Sequence, residues 1–584
     1  MATTIGGGWL AAAFLCCAPL QETPPAAAPP AATAAAPAAL SAPFRVADHY
    51  APGAQAGFLF EQGGVAIGHS WWDYAGPLQD VAPPLHRFTG GWRIEQQGPL
   101  GKAELRASGE VIVDDGGHPR RAHFLSEVGG MVHDLEFVVA DGQARGRLVS
   151  GPKSQPIVAP VGPDALLLAN NWIGLMELIV LAARPEEGET LRPPLFHADS
   201  VAMLAFELRR LADYVVERDG VVHRGRKVRD SLGQVTRLRE DGAIFEIEIP
   251  AQGFRIRRTD APLERFTVAP PSLPRADFAR EEVTLARGGF TLAGAVTKPL
   301  GATGRLPALL FVGGSGPQDR DGLSGGLDLG THELLDAVTA AGFAVLRVDD
   351  RGTGASGGTL TGATLRDLAD DARGWLELLC ARDDVDPERL FVIGHSEGGV
   401  IAPLLAIEQP LRGVVLLAAP GRDLMALLRE QKRAGLEAAG LRGKLLDDEL
   451  AVHAEFLKLV AGDGPIDLQQ VRADYRPALA DRDWLRSHAR HDPLATIAQV
   501  KCPVLIAQGE QDVQVSAERD APPLLATLQA AGHPDATLAK FAALDHLFKK
   551  VTTIPPTTAD YLRPRPVDPE FLATVVAWLQ ARAK

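Results

Sequence analysis

Five short apolar runs in the second half of the chain constrain its fold more than any other feature. They are PALLFV (307–312), AVLRV (344–348), LFVIG (390–394), GVVLLAA (413–419) and VLIAQ (504–508). Amphipathic segments of helix length separate most of them. Strands that are apolar throughout and alternate with helices form parallel sheets covered by helices on both faces. The sequence therefore predicts an α/β domain whose last strand is ATLAKF, residues 536–541.

The first half of the chain has a different pattern. Asp-Gly pairs at 115–116, 141–142, 219–220 and 241–242 break it into short segments, and Asp-Gly supplies the positive φ values that tight hairpins need. In AIFEIEIP (243–250) apolar residues alternate with glutamates, as in a sheet with one solvated face. Residues 44–269 are therefore predicted to form a mainly antiparallel β domain with one or two helices.

Three further segments complete the predicted organisation. The Pro-rich tract 269–278 separates the β domain from a catalytic domain over 279–584. Residues 421–498 are charged, helical in pattern and too long for a simple crossover, so they are predicted to form an inserted helical cap. The apolar run 165–183 is interrupted by Asn170, Asn171 and Glu177, which favours a buried or groove-covering helix over a membrane span.

The first 44 residues contain no Lys, Arg or His. WLAAAFLCCAPL (9–20) has the length and hydrophobicity of an export signal, although it lacks a basic start. We interpret residues 1–20 as a signal peptide and 21–43 as an Ala/Pro-rich linker. This predicts a periplasmic or extracellular protein, lipid-anchored if Cys16 or Cys17 is modified, and a cytoplasmic one if the start codon is mis-assigned. Cys380 and Cys502 lie in apolar contexts that predict buried free thiols.

Charge and composition exclude some partners. The formal net charge is 59 − 73 = −14, with no run of Lys and Arg. Nucleic-acid binding requires clustered cations, so that class is excluded. The sequence predicts no cofactor, no metal site and no transmembrane span beyond the export segment, and it leaves the oligomeric state open.

The tripeptide GHS occurs twice, at Ser70 and Ser396. In IGHSEGG an apolar strand leads into the turn and a helical run, VIAPLLAIE, follows it. Gly394 and Gly398 flank Ser396 in a G-x-S-x-G sequence, which is typical of a nucleophile carried on a sharp strand-to-helix turn. Ser70 has a tryptophan two residues on and no helix after it, so it is predicted to be structural.

A serine nucleophile needs a base and an orienting carboxylate. In a doubly wound sheet these must lie on loops that leave the carboxyl ends of strands. Asp512 follows VLIAQ and His546 follows ATLAKF. Glu510 and Asp520 are the alternative acids.

The loop GGSGPQDRDG (313–322) follows the first parallel strand. Its glycines allow close backbone approach to a reacting group, with Gly313 and Gly314 as the supporting residues. The tetrahedral intermediate of acyl transfer needs two donors for its oxyanion. We expect these to be the N–H groups of Ser315 and Glu397. Phosphate binding is disfavoured because the loop lacks the G-K-[ST] ending of a nucleotide loop.

These motifs together resemble the α/β-hydrolase superfamily, in particular bacterial serine hydrolases of the esterase and serine aminopeptidase type. The matching stretches are GGSGPQDRD, DDRGTGASGG (349–358), GHSEGGVIAP, CPVLIAQGEQD and DHLF, in the order Ser, Asp, His. One departure is Gly313, where relatives usually carry His. The resemblance covers about residues 281–584 and leaves 44–269 unexplained.

The resemblance and the local pattern both indicate acyl transfer to water. In this mechanism Ser396 attacks a carbonyl carbon, His546 transfers the proton and Asp512 orients the imidazole. A carboxylesterase acting on a small-molecule acyl ester is the first hypothesis. A serine peptidase or aminopeptidase, an acyl-CoA thioesterase and a non-catalytic binding protein that kept the fold are the alternatives.

Overall fold

The computed structural model describes residues 44–584 apart from 80, 99–100, 129–130, 151–152, 219, 272, 325–326, 552–553, 555 and 557–564. The interpreted signal peptide (1–20), the linker (21–43), Cys16 and Cys17 lie outside the described residues. The described chain divides into two compact units between residues 271 and 272, within the Pro-rich tract.

The N-terminal unit is built on an antiparallel sheet of 14 strands. Their order is β10-β13-β14-β15-β16-β17-β1-β2-β3-β4-β5-β6-β7-β8, and three short strands, β12-β11-β9, form a second sheet. The bounds are β1 Gln55–Gln62, β2 Val65–Pro77, β3 Leu85–Gly98, β4 Gly101–Asp114, β5 Pro119–Val128, β6 Met131–Ala140, β7 Gln143–Ser150, β8 Lys153–Pro160, β9 Leu166–Leu168, β10 Thr190–Leu191, β11 Leu195–His197, β12 Ala202–Leu204, β13 Leu208–Arg218, β14 Val221–Asp230, β15 Val235–Leu238, β16 Ile244–Ile249 and β17 Phe254–Thr259. The antiparallel β domain is confirmed. In the first Asp-Gly turn, Gly117 and not Gly116 takes the positive φ.

Helix α1, Ile173–Ala183, is buried along its whole length. The prediction of one helix over 165–183 was wrong for its first part, because residues 166–168 form β9 and Asn171 turns the chain with φ of 63°. The Glu177 carboxylate within the helix accepts hydrogen bonds from Tyr50 Oη (3.1 Å) and Ile244 N (2.8 Å) and pairs with Arg258. These partners explain how a carboxylate can be buried in an apolar helix.

The C-terminal unit contains a sheet of eight strands in the order β18-β19-β23-β20-β24-β25-β26-β27. Strands β18, β19 and β23 pair antiparallel, and the others pair parallel. The bounds are β18 Phe278–Arg287, β19 Phe290–Pro299, β20 Leu306–Val312, β21 Leu323–Ser324, β22 Leu327–Asp328, β23 Ala344–Val348, β24 Val385–His395, β25 Gly413–Leu417, β26 Val504–Gly509 and β27 Ala536–Phe541. Strands β21 and β22 form a separate two-stranded ribbon.

Helices cover both faces of this sheet, as predicted for a run of continuously apolar strands. The bounds are α2 Thr331–Ala340, α3 Leu365–Cys380, α4 Gly398–Glu408, α5 Leu424–Ala438, α6 Gly443–Ala461, α7 Arg482–Ala489, α8 Pro493–Ile497, α9 Ala521–Ala530 and α10 Pro569–Arg582. Side chains of β20 alternate between the two faces. Ala308 and Leu310 join the core under α3 and α4, whereas Leu309 and Phe311 join the core under α2 and α10.

The predicted insertion between β25 and β26 is helical and contains α5 to α8. Its own small core includes Phe456, Tyr475 and Leu485. At its start, Gly421 N (3.0 Å) and Arg422 Nη2 (2.6 Å) both donate to the carboxylate of Asp520. The Asp520 side chain, which follows β26, therefore fixes the backbone where the insertion leaves the sheet.

The cysteine prediction was wrong for Cys380, which is exposed, while Cys502 is half-buried. The buried stripe of α3 includes Ala369, Ala372, Leu376 and Leu379. Position 380 is the next residue along the helix and ends it, so it lies off that stripe.

Candidate active site

Ser396 lies at the strand-to-helix turn between β24 and α4 and has a left-handed φ of 54°. That conformation is costly for a residue with a side chain and marks a constrained position. Both flanking glycines are required by space. A methyl group on Gly394 would lie 2.1 Å from Gly398 O, and one on Gly398 would lie 2.1 Å from Val312 O. The sequence thus forms the tight turn expected of G-x-S-x-G.

Asp512 and His546 come together on the loops after β26 and β27. His546 Nδ1 lies 2.7 Å from Asp512 Oδ2, and both side chains are buried. The other carboxylate oxygen, Oδ1, accepts from Gln514 N (2.7 Å) and Val515 N (2.9 Å). Gln508 Nε2 donates to Oδ2 (3.0 Å). These bonds fix the carboxylate, so it can hold the imidazole in one orientation.

The two alternative acids have other partners. Asp520 binds the start of the cap insertion, and Glu510 lies 3.9 Å from Lys540 Nζ. Among the contacts between described residues, neither of them reaches His546. Of the three acids named from the sequence, Asp512 is therefore the one with the geometry of an orienting carboxylate.

His395, which sequence reasoning passed over, contacts the candidate base. Its Nε2 lies 2.9 Å from the backbone O of His546, and the two ring centroids are 4.8 Å apart. Burial, followed by the nearness of His546, lowers the pKa of His395 to about 4. His395 is therefore neutral near pH 7, and its proton must be on Nε2 to donate to the carbonyl. In the sequence it is only the variable residue of G-x-S-x-G, so no pattern could have identified it.

The loop after β20 lies against the turn. A methyl group on Gly314 would lie 3.1 Å from Ser396 Cβ, and Ser315 next to it is exposed. Across the described ranges, no protein acceptor takes up the N–H of Ser315 or that of Glu397. Both groups are open to a ligand, and their role as oxyanion donors stays a prediction.

Gln318 supports this loop from the side of Gly313. A methyl group on Gly313 would lie 2.9 Å from Gln318 Oε1, so the glutamine occupies the space next to the missing side chain. Gln318 Nε2 donates to Gly314 O (3.0 Å). Its backbone N donates to Asp350 Oδ2 (2.9 Å). The departure at Gly313 therefore does not leave the loop unsupported.

The DDRG sequence, residues 349–352, completes that support. Arg320 Nη2 lies 2.7 Å from Asp349 Oδ2, and Arg320 N donates to Asp349 Oδ1 (2.8 Å). Burial, together with the nearby carboxylates of Glu397 and Asp349, raises the pKa of Asp350 to about 8. The two neighbouring aspartates are therefore in different protonation states at neutral pH, because Asp349 is paired with Arg320 and, among the described residues, Asp350 has no cationic partner.

A cavity of about 60 Å³ adjoins the loop. Its wall is mostly apolar and includes Leu292, Leu310, Val348, Leu360, Trp375 and Ile401. Gly314 and Glu397, which adjoin the turn, also line it. The carboxyl groups in the wall are Asp349, which is paired with Arg320, together with Asp350, Asp371 and Glu397.

Each carboxyl group of this wall is neutralised or bonded. Asp350 retains its proton at neutral pH because of its raised pKa. Asp371 pairs with Arg351 (2.7 Å) and Arg287 (3.1 Å). Glu397 accepts from Trp484 Nε1 (2.6 Å). The cavity wall therefore offers little unpaired charge to a ligand.

The second GHS serine has a structural environment. Ser70 lies in β2, its side chain is buried, and its Oγ donates to Gly91 O (3.0 Å). Beside it, Trp71 packs edge-on against Phe266 with ring centroids 4.7 Å apart. Ser70 therefore has the environment of a residue inside a sheet and not that of a nucleophile.

The described residues contain no group of three or more His, Cys, Asp or Glu side chains arranged to hold a metal ion. Nor does any helix in the described ranges have the length and hydrophobicity to cross a bilayer.

A mostly parallel eight-stranded sheet covered by helices, with a glycine-flanked serine on the turn after β24, gives the C-terminal unit the α/β-hydrolase fold. The model of the serine aminopeptidase (S33) family matches residues 329–476, a stretch that contains Ser396 and ends before Asp512. Esterase EstD of Thermotoga maritima is 26% identical over 288 residues, which are 49% of this chain and 65% of that esterase. The match thus spans just under two thirds of the relative's length.

Solved structures with a similar fold include the Pyrococcus furiosus esterase Pf2001 and the Est1E protein of Butyrivibrio proteoclasticus with ferulic acid bound. The first is 17% identical with a TM-score of 0.36, covering 53% of this chain and 92% of that one. The second is 18% identical with a TM-score of 0.34, covering 51% and 96%. Both sequence matches are to hydrolytic enzymes, one a peptidase family and the other an esterase.

Proposed function

We propose that this protein is a serine hydrolase that cleaves carboxylic esters through an acyl-enzyme on Ser396, with His546 as base and Asp512 as the residue that orients it. The observation that carries the proposal is the buried Asp512–His546 pair, 2.7 Å apart, next to a strained serine turn. Because His546 Nδ1 donates to the carboxylate, its Nε2 is available to accept a proton.

In the proposed reaction Ser396 Oγ attacks the ester carbonyl carbon as His546 Nε2 takes the hydroxyl proton. The resulting oxyanion accepts hydrogen bonds from the N–H groups of Ser315 and Glu397. By analogy with other oxyanion donors, each bond stabilises the transition state by roughly 3 kcal/mol. Collapse breaks the bond to the alkoxy oxygen, which leaves with the proton from His546. Water then attacks the acyl carbon while His546 takes its proton. The bond to Ser396 Oγ breaks, His546 returns the proton to Oγ, and the carboxylic acid is released.

The cavity beside Gly314 supports a short, neutral acyl group. A water-sized atom needs about 10–15 Å³ of such space, so a cavity of about 60 Å³ accommodates roughly four to six non-hydrogen atoms. We therefore expect kcat/KM to be highest for acetyl to butyryl esters and to fall for octanoyl esters. A panel of p-nitrophenyl esters of increasing chain length measures this directly.

The second candidate is an aminopeptidase, which the match to the serine aminopeptidase family favours. Binding of a substrate ammonium group would require an unpaired carboxylate near the nucleophile. Asp350, Asp371 and Glu397 are protonated or already bonded, which supports the ester over the amine-bearing peptide. Turnover of aminoacyl p-nitroanilides in preference to p-nitrophenyl acetate would reverse this choice.

Labelling by a fluorophosphonate probe tests the serine assignment. We expect the native protein and Ser70→Ala to be labelled and Ser396→Ala to remain unlabelled. The Ser70 variant is a matched control because it removes the hydroxyl of the same tripeptide, GHS, in the other unit. Equal labelling of Ser396→Ala, or no labelling of the native protein, would contradict the proposal.

Export and membrane anchoring remain proposals as well. We propose a periplasmic or extracellular location on the basis of residues 1–20, and comparison of the N-terminus of the mature protein with the gene sequence tests it.

A further inference from the structure

The residue after the nucleophile is bound by the cap insertion. Glu397 is 8% exposed, and its Oε1 accepts a hydrogen bond from Trp484 Nε1 at 2.6 Å. His488 Nε2 lies 2.8 Å from the same oxygen. Trp484 and His488 are four residues apart on α7, so they present one face of that helix to the carboxylate. A buried indole-to-carboxylate bond is among the stronger hydrogen bonds in proteins.

Helix α7 is also fixed at two other points. Leu485, next to Trp484, packs into the core of the insertion. Ser487 Oγ accepts from Leu365 N (2.9 Å), the first residue of α3 in the body of the domain. Helix α7 therefore connects the interior of the insertion to the nucleophile turn, and Glu397 is the residue of that turn to which it is bonded.

The backbone of Glu397 has a second task in the proposed reaction, because its N–H is one of the two oxyanion donors. The preceding peptide is constrained by the left-handed Ser396, and Glu397 is the N-cap residue of α4. A displacement of the Glu397 side chain is therefore transmitted to its own N–H. Oxyanion donors lose much of their effect when they are misplaced by about half an ångström.

We propose that Trp484 is a positioning residue for the oxyanion donor at Glu397, so that the cap insertion and the catalytic turn are correctly arranged only together. This inference rests on the proposed function. It differs from a purely structural role because it places the effect on the chemical step and not on substrate binding.

The first test is Trp484→Phe, which keeps an aromatic ring and removes only the N–H donor. With p-nitrophenyl acetate we expect kcat to fall roughly tenfold, since hydrogen bonds to charged groups are of that strength, and KM to change less than twofold. The rate of fluorophosphonate labelling should fall by a similar factor. The matched control is Trp578→Phe on α10, whose Nε1 has no partner among the described residues, and its kcat should be unchanged.

The second test is a double-mutant cycle. Glu397→Ala should lower kcat at least as much as Trp484→Phe, and the double variant should be no slower than Glu397→Ala alone. Glu397→Gln should retain most of the activity, because its amide oxygen can still accept from Trp484. Glu397→Met fills a similar space without an acceptor, and native activity in that variant would show that the site needs only a filled space.

Several outcomes would overturn the inference. They are a wild-type kcat for Trp484→Phe, a change confined to KM, or independent losses that multiply in the double variant. An unlabelled, inactive native protein would instead mean that the proposed function itself is wrong. Thermal unfolding of each variant identifies any that fails to fold. If Glu397→Ala does not fold, the kcat values of Trp484→Phe and Glu397→Gln still test the inference.

Discussion

Nε2 of His395 lies 2.9 Å from the backbone oxygen of His546, so the residue before the candidate nucleophile holds the main chain of the candidate base. Burial lowers the pKa of His395 to about 4, so its imidazole stays neutral at neutral pH. The turn therefore positions two groups at once, the Ser396 hydroxyl directly and the His546 imidazole through its backbone.

We expect His395→Phe to lower kcat about tenfold with KM nearly unchanged. The variant keeps a flat ring but leaves the His546 carbonyl without its donor, which costs roughly 1–3 kcal/mol and allows the base to shift. Steady-state kinetics on p-nitrophenyl acetate measure both constants. His395→Gln, which retains a side-chain N–H, should lose less. Equal kcat for His395→Phe and the native protein would show that the bond has no part in positioning the base.

Ser396→Ala and His546→Ala should each reduce kcat by roughly 10⁴-fold or more, and the double variant should be no slower than either one. Residues of a triad act as a unit, so the second removal has little left to remove. Single-turnover measurements at high enzyme concentration make these low rates accessible. A double variant that lost the product of the two factors would contradict the assignment of these residues to one mechanism.

Asp350→Asn should stabilise the folded chain at neutral and basic pH. The folded pKa of Asp350 is about 8 against 3.8 for the unfolded chain, so folding takes up a proton between these values. Stability from this group is therefore lost as pH rises from about 4 to about 8, by up to ~1.4 kcal/mol per pH unit. The amide oxygen can still accept from Gln318 N. Urea denaturation at several pH values should show the advantage of the variant growing with pH, and a constant advantage would refute the assignment.

Ser70→Ala should destabilise the N-terminal unit by about 1 kcal/mol, because a buried hydroxyl loses its bond to Gly91 O. Esterase activity and probe labelling should remain at the native level. Thermal unfolding and p-nitrophenyl acetate turnover of the same preparation provide the two readings. Loss of labelling with an unchanged melting temperature would mean that Ser70, and not Ser396, reacts with the probe.

Much of the C-terminal sheet could be predicted, because its strands are apolar on both faces and stand out against the helices. Strands 344–348 and 536–541 were located to the residue. The antiparallel pair β18 and β19 was missed, since its first strand alternates with charged residues and resembles the preceding β domain. The nucleophile turn was predictable because its strand, its G-x-S-x-G sequence and its helix are consecutive in the chain.

The supporting residues could not be predicted in the same way. His395 and Trp484 act through residues distant in sequence, and each is an ordinary residue in its own segment. The contact between Trp484 and Glu397 spans 87 positions, which no local pattern encodes. Such contacts depend on how the insertion packs on the turn, and only the folded chain defines them.

The insertion leaves the sheet after β25 and returns before its neighbour β26, and Asp520 holds the point of departure. An ancestral gene could therefore have gained or exchanged this whole segment without disturbing the order of the strands. Any replacement segment, however, would have had to supply a hydrogen-bond donor to the buried Glu397 carboxylate. Lineages that altered the segment would be expected to change residue 397 with it, so that substrate range and catalytic rate are inherited as one trait.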